Sequence, residues 1–435
     1  TIGFAALTAN TTADLNTVIG SLAGDAITTG AANVIVGYNS GGALTTGGSN
    51  TVVGTNALIT QTTVGSNTAI GSGAMEANTV GDKCVAVGAG AMAANTTAVH
   101  NTAIGFNALV SNTTGGNNTA VGKGALDANT TATNNTAMGV DALGANTTGA
   151  SNVAIGQLSL STNTTAGDNT AVGANALKLN TTGTLNVAVG KDALAQNTTA
   201  NSNTAIGLDA LYANTTGASN TSVGSRALDA NTTGTQNVAV GASALTSNTT
   251  GGGNIVVGFE AMEDNTTGGA NVAVGRAALK KCTTGESNVA YGEVAGAALT
   301  TGDNNTCIGK SAGSSLTTGN TNVFVGVSCQ PSANNGSGQI VMGDTVTGTG
   351  NDNFTFGAGT TDSNIEFGAT SITAPSDIRL KEDIQDEEVG LDFINDLRPV
   401  TFQWKKEKDI PSDMKAYKEG SEERTMNGKY NHGFI

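Results

Sequence analysis

A glycine preceded by an apolar residue recurs at Gly3, Gly20, Gly37, Gly54, Gly71 and Gly88, and then every 17 residues to Gly343. Disorder keeps no such register over twenty intervals, so the spacing points to a repeat architecture. Offsets below are counted from this glycine as zero. Offset +14 is Thr, Val or Ile from Val34 to Ile340, and +16 is apolar throughout, as in Ile104, Val121 and Met138. Side chains two apart share one side of a strand, so the pair predicts an inward β-branched face. Offset +15 lies on the opposite side and is mostly Ala, as in Ala103, Ala120 and Ala137. A strand apolar on both sides is covered on both sides. The Ala side is therefore expected to meet another chain at close range.

Offset +13 is Asn in 18 of 20 repeats, with Cys84 and Gln339 as the exceptions, and +7 is Asn in twelve consecutive repeats from Asn78 to Asn265. Asn tolerates the left-handed backbone of sharp corners. Its amide can also bond to the identical amide one coil away. Offsets +3 and +4 are usually Ala-Leu, as in Ala108-Leu109, and add a second small apolar wall. Each repeat then reads as two short strands, xNTAVG and ALxxNTT, joined at Gly and Asn corners. Such a unit buries its apolar side only by stacking, which defines a parallel β-solenoid of 17-residue coils. At about 4.8 Å per coil the rod is on the order of 100 Å long. Near its end the pattern drifts: +7 becomes Leu299 and Leu316, +4 becomes Gly296 and Gly313, and the spacing breaks to Gly357 and Gly368. Phe354, Phe356 and Phe367 alternate there with polar residues, which predicts a β-rich neck.

Composition agrees with a thin coil. There are 61 Gly, 4 Pro, 1 Trp and 4% aromatics in 435 residues. Large rings do not fit a core this narrow. No apolar run approaches the ~18 residues of a membrane helix, so membrane insertion is not expected. A net charge of −15 disfavours nucleic acid as a partner. Charge is also unevenly spread. Residues 1–375 hold 9 Lys/Arg and 20 Asp/Glu, whereas 376–435 hold 10 and 14, and all four prolines follow position 330. Three segments are expected: the solenoid shaft over 1–343, the neck over 344–375 and a different C-terminal domain over 376–435.

The shaft offers little chemistry. Cys84, Cys282, Cys307 and Cys329 fall at four different offsets with no CxxC pair, so inert thiols are expected and no metal site. His100 sits at a corner, where it reads as a surface residue. Asp127, Asp141, Asp192 and Asp229 are scattered over +2 and +5 and assemble no acid/base pair, so no cofactor or external-substrate enzyme is expected. The GGxGxD calcium repeat is absent. NTT triplets at +7 to +9 match a glycosylation acceptor but read more simply as structure. Their Thr columns raise ice or carbohydrate binding as an alternative.

The C-terminal segment begins SDIRLKEDI at Ser376, continues GLDFINDLRPVTFQWKKEKD and ends YNHGFI. The pattern S-D-x-R-x-K-x-x-I, followed by a helix-like L-x-x-L-x-P-V-x-F-x-W, resembles the C-terminal intramolecular chaperone of phage tail fibres and tailspikes, the self-cleaving tail-fibre peptidase family. The repeats look like those of tail-fibre-domain proteins and are similar to the AIG-rich heads of trimeric autotransporter adhesins. The resemblance implies a homotrimer whose chaperone, a small α+β domain, holds three chains in register. It implies self-cleavage at the Pro375–Ser376 bond, with Ser376 as nucleophile, Lys381 as its base, and Asp377 and Arg379 orienting the turn. A serine needs an adjacent base, and a partly desolvated Lys can serve. The family pattern continues past GFI, so 376–435 reads as the first half of the domain.

The repeat is already in phase at Gly3, with no Met, leader or attachment domain before it, so an anchor is expected outside this sequence. The sequence thus predicts an all-β, homotrimeric solenoid fibre. It would be the shaft of a phage tail fibre or virion appendage, extracellular after assembly, that serves attachment to a carbohydrate or protein receptor on the host. The alternative is a bacterial surface adhesin of the same build.

Overall fold

The computed structural model describes residues 1–359, 362–368, 399–402, 405–412, 417–423 and 431–434. The chain divides into two compact units, Thr1–Pro375 and Ser376–Ile435. In the first, each coil from Thr17–Ile19 to Val323–Val325 gives one three-residue strand at offsets +14 to +16. Each strand pairs in parallel with that of the next coil, so that Thr102, Ala103 and Ile104 lie opposite Thr119, Ala120 and Val121. The stack continues through Ile340–Asp344 into Asn353–Ala358, with Gly343 opposite Gly357. Ser363–Glu366 then turns back antiparallel on that last strand.

The sheet faces the other way from the sequence expectation. The central residue of each strand points in: Ala103, Ala120 and Ala137 are fully buried, while the flanking Ile104 and Met138 are 41% and 46% exposed. The β-branched pair is therefore the outer face, and the Ala column lines the coil's own core. Size is the reason. Leu at +4 fills the narrow interior from the opposite wall, as Leu109 and Leu126 do at zero exposure, and beside it +15 stays small, Ala in most coils and no larger than Val, as Val256 beside Leu245.

The second predicted strand is also absent. Offsets +1 to +6 form turns, with amide bonds such as Ala108 N to Gly105 O (3.3 Å) and Asn112 N to Leu109 O (3.1 Å). Asn107 and Leu109 have φ of +53° and +52°, a left-handed conformation that no strand accepts. The left-handed corners lie at +2, +4 and +12, as at Asp141, Leu143 and Ser151. They do not lie at the Asn of +7 and +13. Glycine at offset zero is obligatory. Gly190 has φ +135°, and a Cβ there would stand 2.3 Å from the Gly207 carbonyl oxygen of the next coil.

The two Asn columns are inside. Along +7, each side-chain amide donates to the amide oxygen one coil back, as Asn95 Nδ2 to Asn78 Oδ1 (2.7 Å) and Asn129 Nδ2 to Asn112 Oδ1 (2.8 Å). This is the amide-to-amide bond the sequence suggested. Along +13, the backbone N–H of Asn118 donates to Asn101 Oδ1 at 2.7 Å. Both columns converge on the +10 carbonyl: Gly115 O accepts from Asn112 Nδ2 (2.9 Å) and Asn101 Nδ2 (2.8 Å). Polar groups that would each cost about 1–3 kcal/mol if left unpaired are thus satisfied coil by coil.

The +7 column ends where its partner type ends. Cys282 occupies the next +7 position, and Asn265 Oδ1 is a buried oxygen without a donor. Four coils use another packing. Where +4 is Gly24, Gly41, Gly296 or Gly313, +7 is Ile27, Leu44, Leu299 or Leu316, and +15 is Ile35, Val52, Cys307 or Phe324. All these larger side chains are buried. The missing side chain at +4 is what admits them: a Cβ on Gly313 would lie 2.8 Å from the Phe324 ring, and one on Gly24 would lie 2.9 Å from Ile27 Cδ1.

In the second unit, Pro399–Phe402 pairs antiparallel with Asn431–Phe434, and Glu407–Asp409 is a short 3-10 helix. Part of the stretch read as helix-like is therefore a strand. Proline without an amide N–H followed by Val-Thr-Phe suits a short edge strand better than a helix interior.

Candidate functional site

Ser376, Lys381, Asp377 and Arg379 lie outside the described residues, as does Pro375. The Lys-rich insertion beyond them folds on itself. Lys406 and Lys408 both pair with Glu422, and Lys418 Nζ lies 3.0 Å from Glu407 Oε1. Ser421 Oγ donates to Glu407 Oε2 at 2.7 Å. The bond from Lys406, then that from Lys408, holds the Glu422 carboxyl down at about 2. These groups are solvent-facing and tie strand-connecting segments together rather than building a reactive centre.

The thiols of the shaft are suited to inertness. Cys84, Cys282, Cys307 and Cys329 are all free and buried. Burial pushes Cys307 up to about 12 and Cys282 to about 11, and it raises Cys84 and Cys329 as well. A thiol kept protonated is neither nucleophile nor metal ligand. His100 is an exposed corner residue with φ +58°. Among the described residues no three His, Cys, Asp or Glu side chains come close enough together to hold a metal ion.

The carboxylates are less scattered than offsets alone suggest. Asp192, Asp209, Asp229 and Tyr212 line one open depression of about 310 Å³. Burial, then the neighbouring Asp209 charge, raises the carboxyl of Asp229. Asp127 is raised by burial and, less strongly, by Asp141. Offsets +2 and +5 of adjacent coils are spatial neighbours, a relation visible only once the turn geometry is known. The depression remains open to solvent, which gives a carboxyl little of the enclosure that acid/base work needs.

Outer faces differ sharply in chemistry. Within 1–343 every Lys, Arg, Asp and Glu falls at +1, +2, +5, +6, +11 or +12. Several pair between coils, as Lys280 with Glu260 (2.6 Å) and Glu263 (2.9 Å), and Lys310 with Glu293 (3.2 Å). Offsets +8 and +9 present Thr. The +8 hydroxyl is bonded into the rod, as Thr96 Oγ1 to Thr113 O at 3.1 Å, while the +9 residue, as Thr97, is exposed. Offsets +14 and +16 present only Thr, Val, Ile, Met and Tyr. Among the described residues no helix is long and apolar enough to cross a membrane.

No curated protein and no solved structure significantly matches the chain. Residues 376–435 do match a family model, that of the chaperone of endosialidase. Joined to a 17-residue-repeat β-solenoid, that match makes this a chain that fits a tail-fibre protein with a C-terminal chaperone domain.

Proposed function

We propose that this chain is the stiff shaft of a phage tail fibre or virion appendage that serves host attachment, assembled as a homotrimer by its C-terminal chaperone domain. The observation that carries the reading is the chaperone-of-endosialidase match at 376–435, which lies C-terminal to some twenty stacked coils of one 17-residue register. A uniform repeat needs such a device. Three identical ladders can pair one or more coils out of step with almost no local penalty. A clamp at one end sets the alignment once for every coil. The outer end of the appendage would meet a carbohydrate or protein receptor.

The same reading assigns Ser376 and Lys381 a single self-cleavage. The Ser376 hydroxyl attacks the Pro375 carbonyl, Lys381 takes the hydroxyl proton, and the peptide nitrogen leaves protonated; water then releases the Pro375 acyl group. Asp377 and Arg379 would hold the turn. A bacterial adhesin of the same build is the second reading, favoured by the resemblance of the repeats to autotransporter heads.

Mass photometry of the chain tests assembly directly. A species at three times 42.8 kDa is expected, and a stable monomer would overturn the reading. Denaturing gels of the chain test cleavage. A fragment ending at Pro375 should appear and vanish with Ser376→Ala, while an uncleaved parent chain would remove the cleavage step and leave the shaft.

A further inference from the structure

We infer that the outward +14/+16 face of the sheet is where a second copy of this chain packs, parallel and in step, along the shaft. This rests on the trimeric reading above and adds to it the surface through which the copies meet.

The face is apolar where a solvated one would not be. From Thr17 and Ile19 to Ile340 and Met342, no side chain at either offset carries a charge, and every +16 residue is Val, Ile, Met or Tyr. None of these side chains is buried in the single chain, and several stand well out while the rest are half-buried: Ile206 is exposed by 40%, Ile255 by 46% and Tyr291 by 61%. Monomeric soluble proteins keep such patches to a few hundred Å². A strip ~10 Å wide along a rod on the order of 100 Å offers ~1,000 Å² per chain, above the ~800 Å² per partner of a stable interface.

The spacing of the face selects its occupant. Apolar side chains recur once per coil at the strand separation of a parallel sheet, about 4.8 Å, for the length of the shaft. A partner that covers all of them must carry the same spacing over the same distance. An aligned copy does so by construction, and each β-branched column then meets a column of matching size. A lipid surface also buries apolar strips, but residues 1–375 hold 20 acidic against 9 basic groups and repel anionic headgroups. The exposed Thr column at +9 is the competing face for self-association, since it too is uncharged.

Variants of the full chain that each add one surface cysteine separate the faces. Ile206→Cys places a thiol on the proposed interface, and Thr216→Cys places one on the exposed Thr column. The four native thiols are buried and form a low background. With a short bis-maleimide under native conditions, Ile206→Cys should give covalent dimers in at least tenfold excess over Thr216→Cys. As a second variant, Val189→Lys with Ile206→Lys should keep the β circular dichroism and weaken association at least tenfold. If the unmodified chain is trimeric but cross-links through Thr216→Cys, this inference fails and the shaft reading stands. If the unmodified chain is monomeric, both fail. A monomer that floats with phosphatidylcholine vesicles would instead give the face to lipid.

Discussion

Two kinds of coil stack in one rod, and the difference between them shows how a thin core is balanced. The middle coils, from Asn78 to Asn265, put Leu or Met at +4, Asn at +7 and mostly Ala at +15. The coils at Gly24, Gly41, Gly296 and Gly313 remove the +4 side chain and enlarge both other positions, up to Phe324. Volume is conserved across three sites rather than at any one of them. The middle coils spend part of their interior on a hydrogen-bonded column. The outer ones replace that amide with an apolar side chain and keep only the Asn column at +13, where Asn305 Nδ2 donates to Gly319 O at 2.9 Å.

The largest expected effect comes from forcing one recipe halfway into the other. Ala171→Phe, a +15 change beside Leu160 at +4, should cost about 3 kcal/mol or more through overpacking. Leu160→Gly alone should cost ~2–5 kcal/mol as a cavity. Together they recreate the Gly313/Phe324 arrangement, so the double variant should be more stable than the sum of its parts by at least ~2 kcal/mol. Denaturant midpoints measure this, and simple additivity would refute the shared-volume account.

A smaller loss should follow from breaking the polar column. Asn180→Ala removes the donor to Asn163 Oδ1 (3.1 Å) and the acceptor for Asn197 Nδ2 (2.8 Å). A loss of about 2–3 kcal/mol is expected, because a buried oxygen loses its donor. Cys282→Ala, at the equivalent offset where the column has already ended, should cost less than half as much. Equal losses at the two sites would mean that the column contributes packing alone. Hydrogen exchange of the flanking coils reports both.

The least effect under ordinary conditions comes from the thiols. Cys282 and Cys307 keep their protons to about 11 and about 12 in the folded chain, against 9.0 when free. Their contribution is complete below pH 9 and is lost as pH rises through the folded values, because the unfolded chain ionises first. Stability should therefore fall above pH 9, and Cys282→Ala with Cys307→Ala should flatten that fall. An unchanged alkaline slope in the double variant would assign it to other groups.

The repeat and the parallel stacking could both be read from spacing, because a 17-residue period admits few physical interpretations. The direction of the wall could not. Two β-branched positions outnumber one Ala, but a strand of three residues turns only its centre inward, as Ala103 shows against Thr102 and Ile104. The bond from Asn95 to Asn78 could be foreseen from residue type. The placement of these amides inside the coil could not, since Asn is equally at home in a left-handed corner. Leu109 in that conformation ran against propensity and was invisible beforehand. Asp192, Asp209 and Asp229 came together only through the turn path. For the C-terminal unit, the motif carried the family, while Ser376 and Lys381 lie outside the described residues.

Each coil touches only the coil before and the coil after it. Axial load on such a stack passes through every junction in series, so lengthening the rod leaves its breaking strength unchanged while its extension under a given pull grows with coil number. Gain or loss of a whole 17-residue unit from the middle preserves both Asn columns and the outer ladder. The reach of the rod can thus change in steps of about 4.8 Å without redesign of any part of it.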